Sequence, residues 1–139
     1  MLIDTLRVQH DEIETRVKNI TAALASGAVP VVKQELAAFK TALLAHLDLE
    51  DRELYPALTE AAAAMPFEVP AQLTRVYQQN MESVSVAIKT FLTAHGGDDL
   101  NLVDFRRDWG MVSQLLAHRI DSEELTLYPL YRSLVNKET

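Results

Sequence analysis

LLAHLDLEDRELYP, from Leu43 to Pro56, returns with small changes as LLAHRIDSEELTLYP, from Leu115 to Pro129. Both copies open on Leu-Leu-Ala-His and close on an acidic pair, two further residues and Leu-Tyr-Pro, and the second copy is one residue longer. Apolar residues in steps of three and four lead into each copy, as they do along one face of a helix. Val32, Leu36, Phe39 and Leu43 lead to His46 and then Glu50; Leu102, Phe105, Trp109, Val112 and Leu116 lead to His118 and Glu123. An imidazole and a carboxylate on an inward face are costly to bury unless something pairs with them, and a metal ion is the usual partner. His46 and Glu50, four apart, share a face. His118 and Glu123 are five apart, which in a regular helix separates them by about 140°. A π-bulge that absorbs the inserted residue is expected to bring both inward, as such bulges often do at functional sites.

The chain before the first copy carries the same pattern. Ile3, Leu6, Ile13, Val17, Ile20 and Leu24 form one narrow stripe, and His10 fills its single gap. Asp4 is suited to cap this helix, and Ser26-Gly27 followed by Pro30 ends it. Pro56 should kink or loosen the end of the second helix. Met65 to Pro70 reads as a connection, and a third helix is predicted from about Pro70 to His95, with Leu73, Tyr77, Met81, Val84, Ile88 and Phe91 inward and Gly96-Gly97 as its stop. His95 reads as a cation favoured at a helix C-terminus. Asn101 can cap the last helix. Phe105, Trp109 and Tyr131 read as core or bundle-end aromatics.

An antiparallel pair turning near residue 27 puts His10 about 17 residues before the turn and His46 about 18 after it, hence at one height. His118 falls opposite residues 77 to 81 of the third helix. There, QHDEI (Gln9 to Ile13) aligns with NMESV (Asn80 to Val84), so Met81 stands where a fourth-helix histidine would be expected. Three histidines and two glutamates, His10, His46, Glu50, His118 and Glu123, are thus expected on one layer as a metal site. A His and a Glu one turn apart, facing histidines of neighbouring helices, is how four-helix bundles hold di-iron and related metals.

Composition bounds the rest. At 139 residues, 48% of them hydrophobic and only four glycines, the chain suits one all-α domain over residues 1–139, an up-down-up-down four-helix bundle. A net charge of −7 with no basic run argues against nucleic acid. Charges in the first turns argue against a signal peptide or membrane span. With no cysteine, thiolate ligands and disulfides are excluded, and a reducing, cytoplasmic setting is expected. Ligands must then be His, Asp, Glu or Tyr, a set that suits iron or manganese, with zinc possible at a single position.

On His10, the HxxxE of His46 and Glu50, the HxxxxE of His118 and Glu123 and the paired acidic-LYP tails, the sequence resembles the hemerythrin-like family, the HHE cation-binding domain. The resemblance covers most of the chain. It implies two irons bridged by two carboxylates, with His10 and His46 on one iron, Glu50 and Glu123 bridging, and His118 a terminal ligand of the other. The family's third-helix HxxxH aligns with Tyr77 and Met81, where Tyr77 or Glu82 are the substitutes at hand. It further implies one or two non-haem iron ions and a small ligand such as dioxygen or nitric oxide, for sensing, carriage or iron handling. Two rivals differ in class: a bundle that has lost its metal and serves as an interaction module, and an oxidase or peroxidase. No general acid or substrate pocket in the sequence supports the second, so a binding protein is favoured over an enzyme.

Overall fold

The computed structural model describes residues 2–66, 69–95 and 100–135, with side chains throughout except at residues 69–71. Four rods of helix make the bundle, and no strand occurs among the described residues. The first rod is α1, Leu2–Ser26, and the third is α4, Val69–His95. The second and fourth are composite. Helix α2, Val29–Leu49, passes through a π-helical segment, Glu50–Leu54, into α3, Tyr55–Ala63. Helix α5, Leu102–Ser122, passes through a second such segment, Glu123–Leu127, into α6, Tyr128–Leu134.

The ends of these rods follow from their residues. Gly27 adopts φ 70°, a left-handed conformation that costs glycine little, and Ala28 N–H then reaches back to the Ala23 carbonyl at 3.0 Å to close α1. Asn101 caps α5 by accepting from the Val103 and Asp104 amides at 3.0 and 3.2 Å. Asp4, expected as a cap, lies inside the first turn of α1, since the helix already includes Leu2. Glycines 96 and 97, and part of the connection expected over Met65 to Pro70, lie outside the described residues.

Pro56 and Pro129 explain the π segments. A proline ring clashes with the carbonyl four residues back in a regular helix, here that of Arg52 or Leu125. Widening the turn relieves the clash. The bond that closes each wide turn spans five residues, from Tyr55 N–H to the Glu50 carbonyl and from Tyr128 N–H to the Glu123 carbonyl. The helices therefore continue through the prolines, loosened into a wide turn just before each one. Glu50 and Tyr55 both face inward as a result, and so do Glu123 and Tyr128.

Two apolar clusters fill the bundle. One gathers Ile13, Ile20, Phe39, Leu43, Phe91, Phe105 and Trp109 with their neighbours. The other, nearer the LYP end, gathers Ile3, Leu6, Leu54, Leu58, Met81 and Leu127. Between them lies a buried polar layer of His10, His46, Glu50, Arg119 and Glu123. The third rod departs from its expected stripe at its start, where Leu73 is exposed and Thr74 is buried in its place. Met81 is buried as expected, and Tyr77 is half-buried against the second cluster.

Candidate metal centre

His10 reaches the layer from α1, His46 from α2, and the two carboxylates from the first residues of the two π segments. His10 Nε2 lies 2.7 Å from Glu123 Oε1 and 3.1 Å from His46 Nε2, and His46 Nε2 lies 3.3 Å from both Glu123 Oε1 and Glu50 Oε2. The Tyr128 hydroxyl joins them, 3.1 Å from His10 Nε2, 3.2 Å from Glu123 Oε1 and 3.3 Å from Glu50 Oε2. Its ring stacks on His10 at 5.5 Å between centroids.

The outer nitrogens decide which way these imidazoles work. His10 Nδ1 is 2.8 Å from Glu124 Oε2, and a carboxylate only accepts, so Nδ1 donates. His46 Nδ1 donates likewise to Gln9 Oε1 at 2.8 Å. Each ring thereby turns its Nε2 toward the other and toward Glu123 Oε1, a point where either a proton or a metal ion is required. Two lone pairs 3.1 Å apart repel unless a cation or a proton sits between them. Ligands on one ion, at bonds of about 2.1 Å, lie about 3 Å apart, which is the spacing of this group. His10, His46 and Glu123 each offer a ligand atom within 4.8 Å of the others, so the buried donor set fits a metal ion.

Electrostatics agree with a site short of positive charge. Burial alone would lower the His46 pKa, but hydrogen bonds to Glu123 and Glu50 overcome it and raise the value to about 9. Burial and the neighbouring Glu123 charge push Glu50 up to about 7. Glu123, although burial works against it, is held well below the usual carboxylate range by hydrogen bonds from His10 and His46. Desolvation and the two carboxylates push the Tyr128 hydroxyl upward, so it stays a protonated donor.

The fourth rod differs from its expected register. His118 is exposed and lies outside the cluster, and the inward position belongs to Arg119, 2% exposed. The reason is where the wide turn falls. The π segment starts at Glu123 instead of lying between His118 and Glu123, so the helix before it is regular and the residue four before Glu123 faces inward. Arg119 Nη2 donates to Glu50 Oε1 at 2.8 Å, Nε to Glu123 Oε2 at 3.2 Å, and Nη1 to Ser85 Oγ at 2.6 Å and the Met81 carbonyl at 3.1 Å. His95, at the end of α4, pairs with Asp108 Oδ2 at 2.8 Å, far from the layer in sequence and packed on Phe91 and Phe105.

The family model for the hemerythrin HHE cation-binding domain matches residues 1–131. The chain belongs to the hemerythrin HHE family. No curated protein and no solved structure matches it at a significant level. As an HHE domain it is a cation-binding bundle, and its candidate centre is the group around His10, His46 and Glu123. Gln9, Glu124, Arg119 and Tyr128 were not among the residues expected at this site. Three of them had a signal: laid without a gap on the LYP ends, the copies pair Arg119 with His46, Glu124 with Asp51 and Tyr128 with Tyr55. Gln9, whose side chain accepts from the His46 ring on the facing helix, had none.

Proposed function

We propose that this HHE domain is a non-haem iron protein in which His10, His46, Glu50 and Glu123 hold the metal and a small molecule such as dioxygen or nitric oxide binds to it, for sensing, carriage or iron handling. The observation that supports the reading is the pair of Nε2 atoms aimed at one point beside Glu123 Oε1, with each Nδ1–H fixed by an outside acceptor. Such outer partners are what metal-ligating histidines use to set tautomer and ring angle. Nitrogen and carboxylate donors without thiolate suit iron or manganese, and zinc can occupy the same group. Bound iron would supply an open coordination position and a change of oxidation state. The chain's residues fix the ligand geometry, keep the layer between two apolar clusters, and hold the Tyr128 proton beside Glu123 Oε1. A cytoplasmic setting belongs to the same proposal, since a reducing compartment keeps iron ferrous.

Loading with ferrous iron under anaerobic conditions, followed by metal analysis and a spectroscopic titration with nitric oxide, tests this. Wild-type protein should retain iron through desalting and show a nitrosyl spectrum. His46→Ala should remove most of the iron while the helical circular dichroism stays. Equal iron retention by folded His46→Ala would defeat the placement of the site. A wild-type chain that holds no metal would favour the interaction-module reading.

A further inference from the structure

Two carboxylates in this layer each use one oxygen on either side. Glu123 presents Oε1 to the histidines and Oε2 to Arg119; Glu50 presents Oε2 to His46 and Oε1 to Arg119. The internal repeat relates the two sides. Glu50-to-Pro56 and Glu123-to-Pro129 match without a gap, and four residues before each glutamate stand His46 and Arg119. Met81 of α4 answers to His10 of α1 in the same way, and Tyr55 answers to Tyr128. The layer is therefore built as two equivalent half-sites sharing two carboxylates, one with imidazoles and one with a guanidinium.

We propose that the Arg119 guanidinium is the resident cation of the second half-site, so that this chain carries one metal ion and not two. The inference rests on the metal reading of the first half-site. Three observations carry it. The guanidinium makes four hydrogen bonds to three elements and is 2% exposed, so it is built in and not a surface side chain that strayed inward. It engages both carboxylates through the oxygens that face away from the histidines, leaving the other oxygen of each for the imidazole side. No histidine stands beside it among the described residues: Met81 offers a thioether, the nearby Asp51 and Glu82 carboxylates are exposed, and the buried Tyr55 hydroxyl has no hydrogen-bond partner, whereas Tyr128 in the other half-site has three within reach. Charge agrees. Two carboxylates and one fixed guanidinium leave a net of one negative charge for the imidazole side, enough to favour one divalent ion and too little to favour two. A cavity of about 380 Å³ borders Arg119, Tyr55, Met81 and Ser85 and reaches the exposed Asp51 and Glu82.

Metal analysis of ferrous-loaded, desalted wild-type protein should give one iron per chain, and after oxidation the electron paramagnetic resonance of isolated high-spin ferric iron should account for all of it. Met81→His combined with Arg119→His should raise the ratio toward two and replace part of that resonance with a spin-coupled, silent pair. Arg119→Lys, which keeps a cation between the carboxylates, should stay at one. Two irons per wild-type chain, or a silent pair in the wild type, would overturn the assignment of Arg119 while leaving the metal reading intact. No iron in the wild type would overturn the metal reading and the inference with it. Since the wild-type ratio and resonance suffice by themselves, misfolding of the double variant does not blunt the test.

Discussion

At the scale of single residues, the site is governed by groups that never need to touch a ligand. Gln9 accepts the His46 Nδ1 proton at 2.8 Å, and without that acceptor the ring is free to flip or change tautomer. Gln9→Leu is therefore expected to weaken metal binding by about 10–100-fold with little change in helix content, measured by competition against a chelator of known affinity. Arg119 acts on stability first. Its charge compensates two carboxylates that are almost wholly buried, and burial of an uncompensated charge is among the costliest defects a core can carry. In metal-free protein, Arg119→Met should lower the unfolding free energy by about 3–5 kcal/mol, read from urea denaturation at neutral pH. A loss under about 1 kcal/mol would mean that Glu50 or Glu123 takes up a proton and no longer relies on the guanidinium. The Arg16 contacts with Glu12 and Glu35, by contrast, are on the surface, and such pairs contribute little.

At the scale of elements, the four rods and their inward stripes were legible because each stripe repeats in steps of three and four, and the bundle followed from those stripes and the short connections. The meeting of His10 and His46 in the core was legible for the same reason: both fall on the stripe. The second was misread at one residue. Phe105, Trp109, Val112 and Leu116 continue by three to Arg119, not to His118, but the repeated Leu-Leu-Ala-His drew the register to the histidine. The wide turn was anticipated and misplaced, because its cause lies downstream, in Pro56 and Pro129. Caps were readable where one side chain sufficed. Asn101 accepts two amides at the start of α5, remote in sequence from the metal layer, so Asn101→Ala is expected to cost about 1 kcal/mol and lower the melting temperature by about 3 °C. Iron per chain should not change. A cap variant that lost metal as well would mean that the fourth rod is held in register from its first turn.

At the scale of the whole molecule, the polar layer makes stability depend on pH in a way that reverses when metal binds. In the metal-free protein His46 titrates near 9 against 6.5 when unfolded, so between those values the folded state holds a proton that the unfolded state lacks. Stability then falls as pH rises, fully present below about 6.5 and lost through 9, a contribution of about 3 kcal/mol. Glu50, raised to about 7 from 4.5, has the same sign over the lower window: its proton is held by the folded state, and stability declines as pH climbs through 7. Glu123 has the opposite sign, since its pKa is depressed, and its contribution disappears as pH falls below the unfolded value of 4.5. Metal-free protein should therefore melt highest near pH 5 and lose stability toward pH 9. Metal binding needs the deprotonated ligands, and so competes with the protons that stabilise the metal-free layer near pH 5. The rise in melting temperature on adding excess metal should accordingly be small near pH 5 and grow steadily toward pH 8, where an air-stable divalent ion such as zinc or manganese avoids oxidation during the scan. A metal-free melting temperature that rises between pH 6.5 and 9, or a metal-induced shift that shrinks over that range, would show that His46 does not hold a proton in competition with the ion.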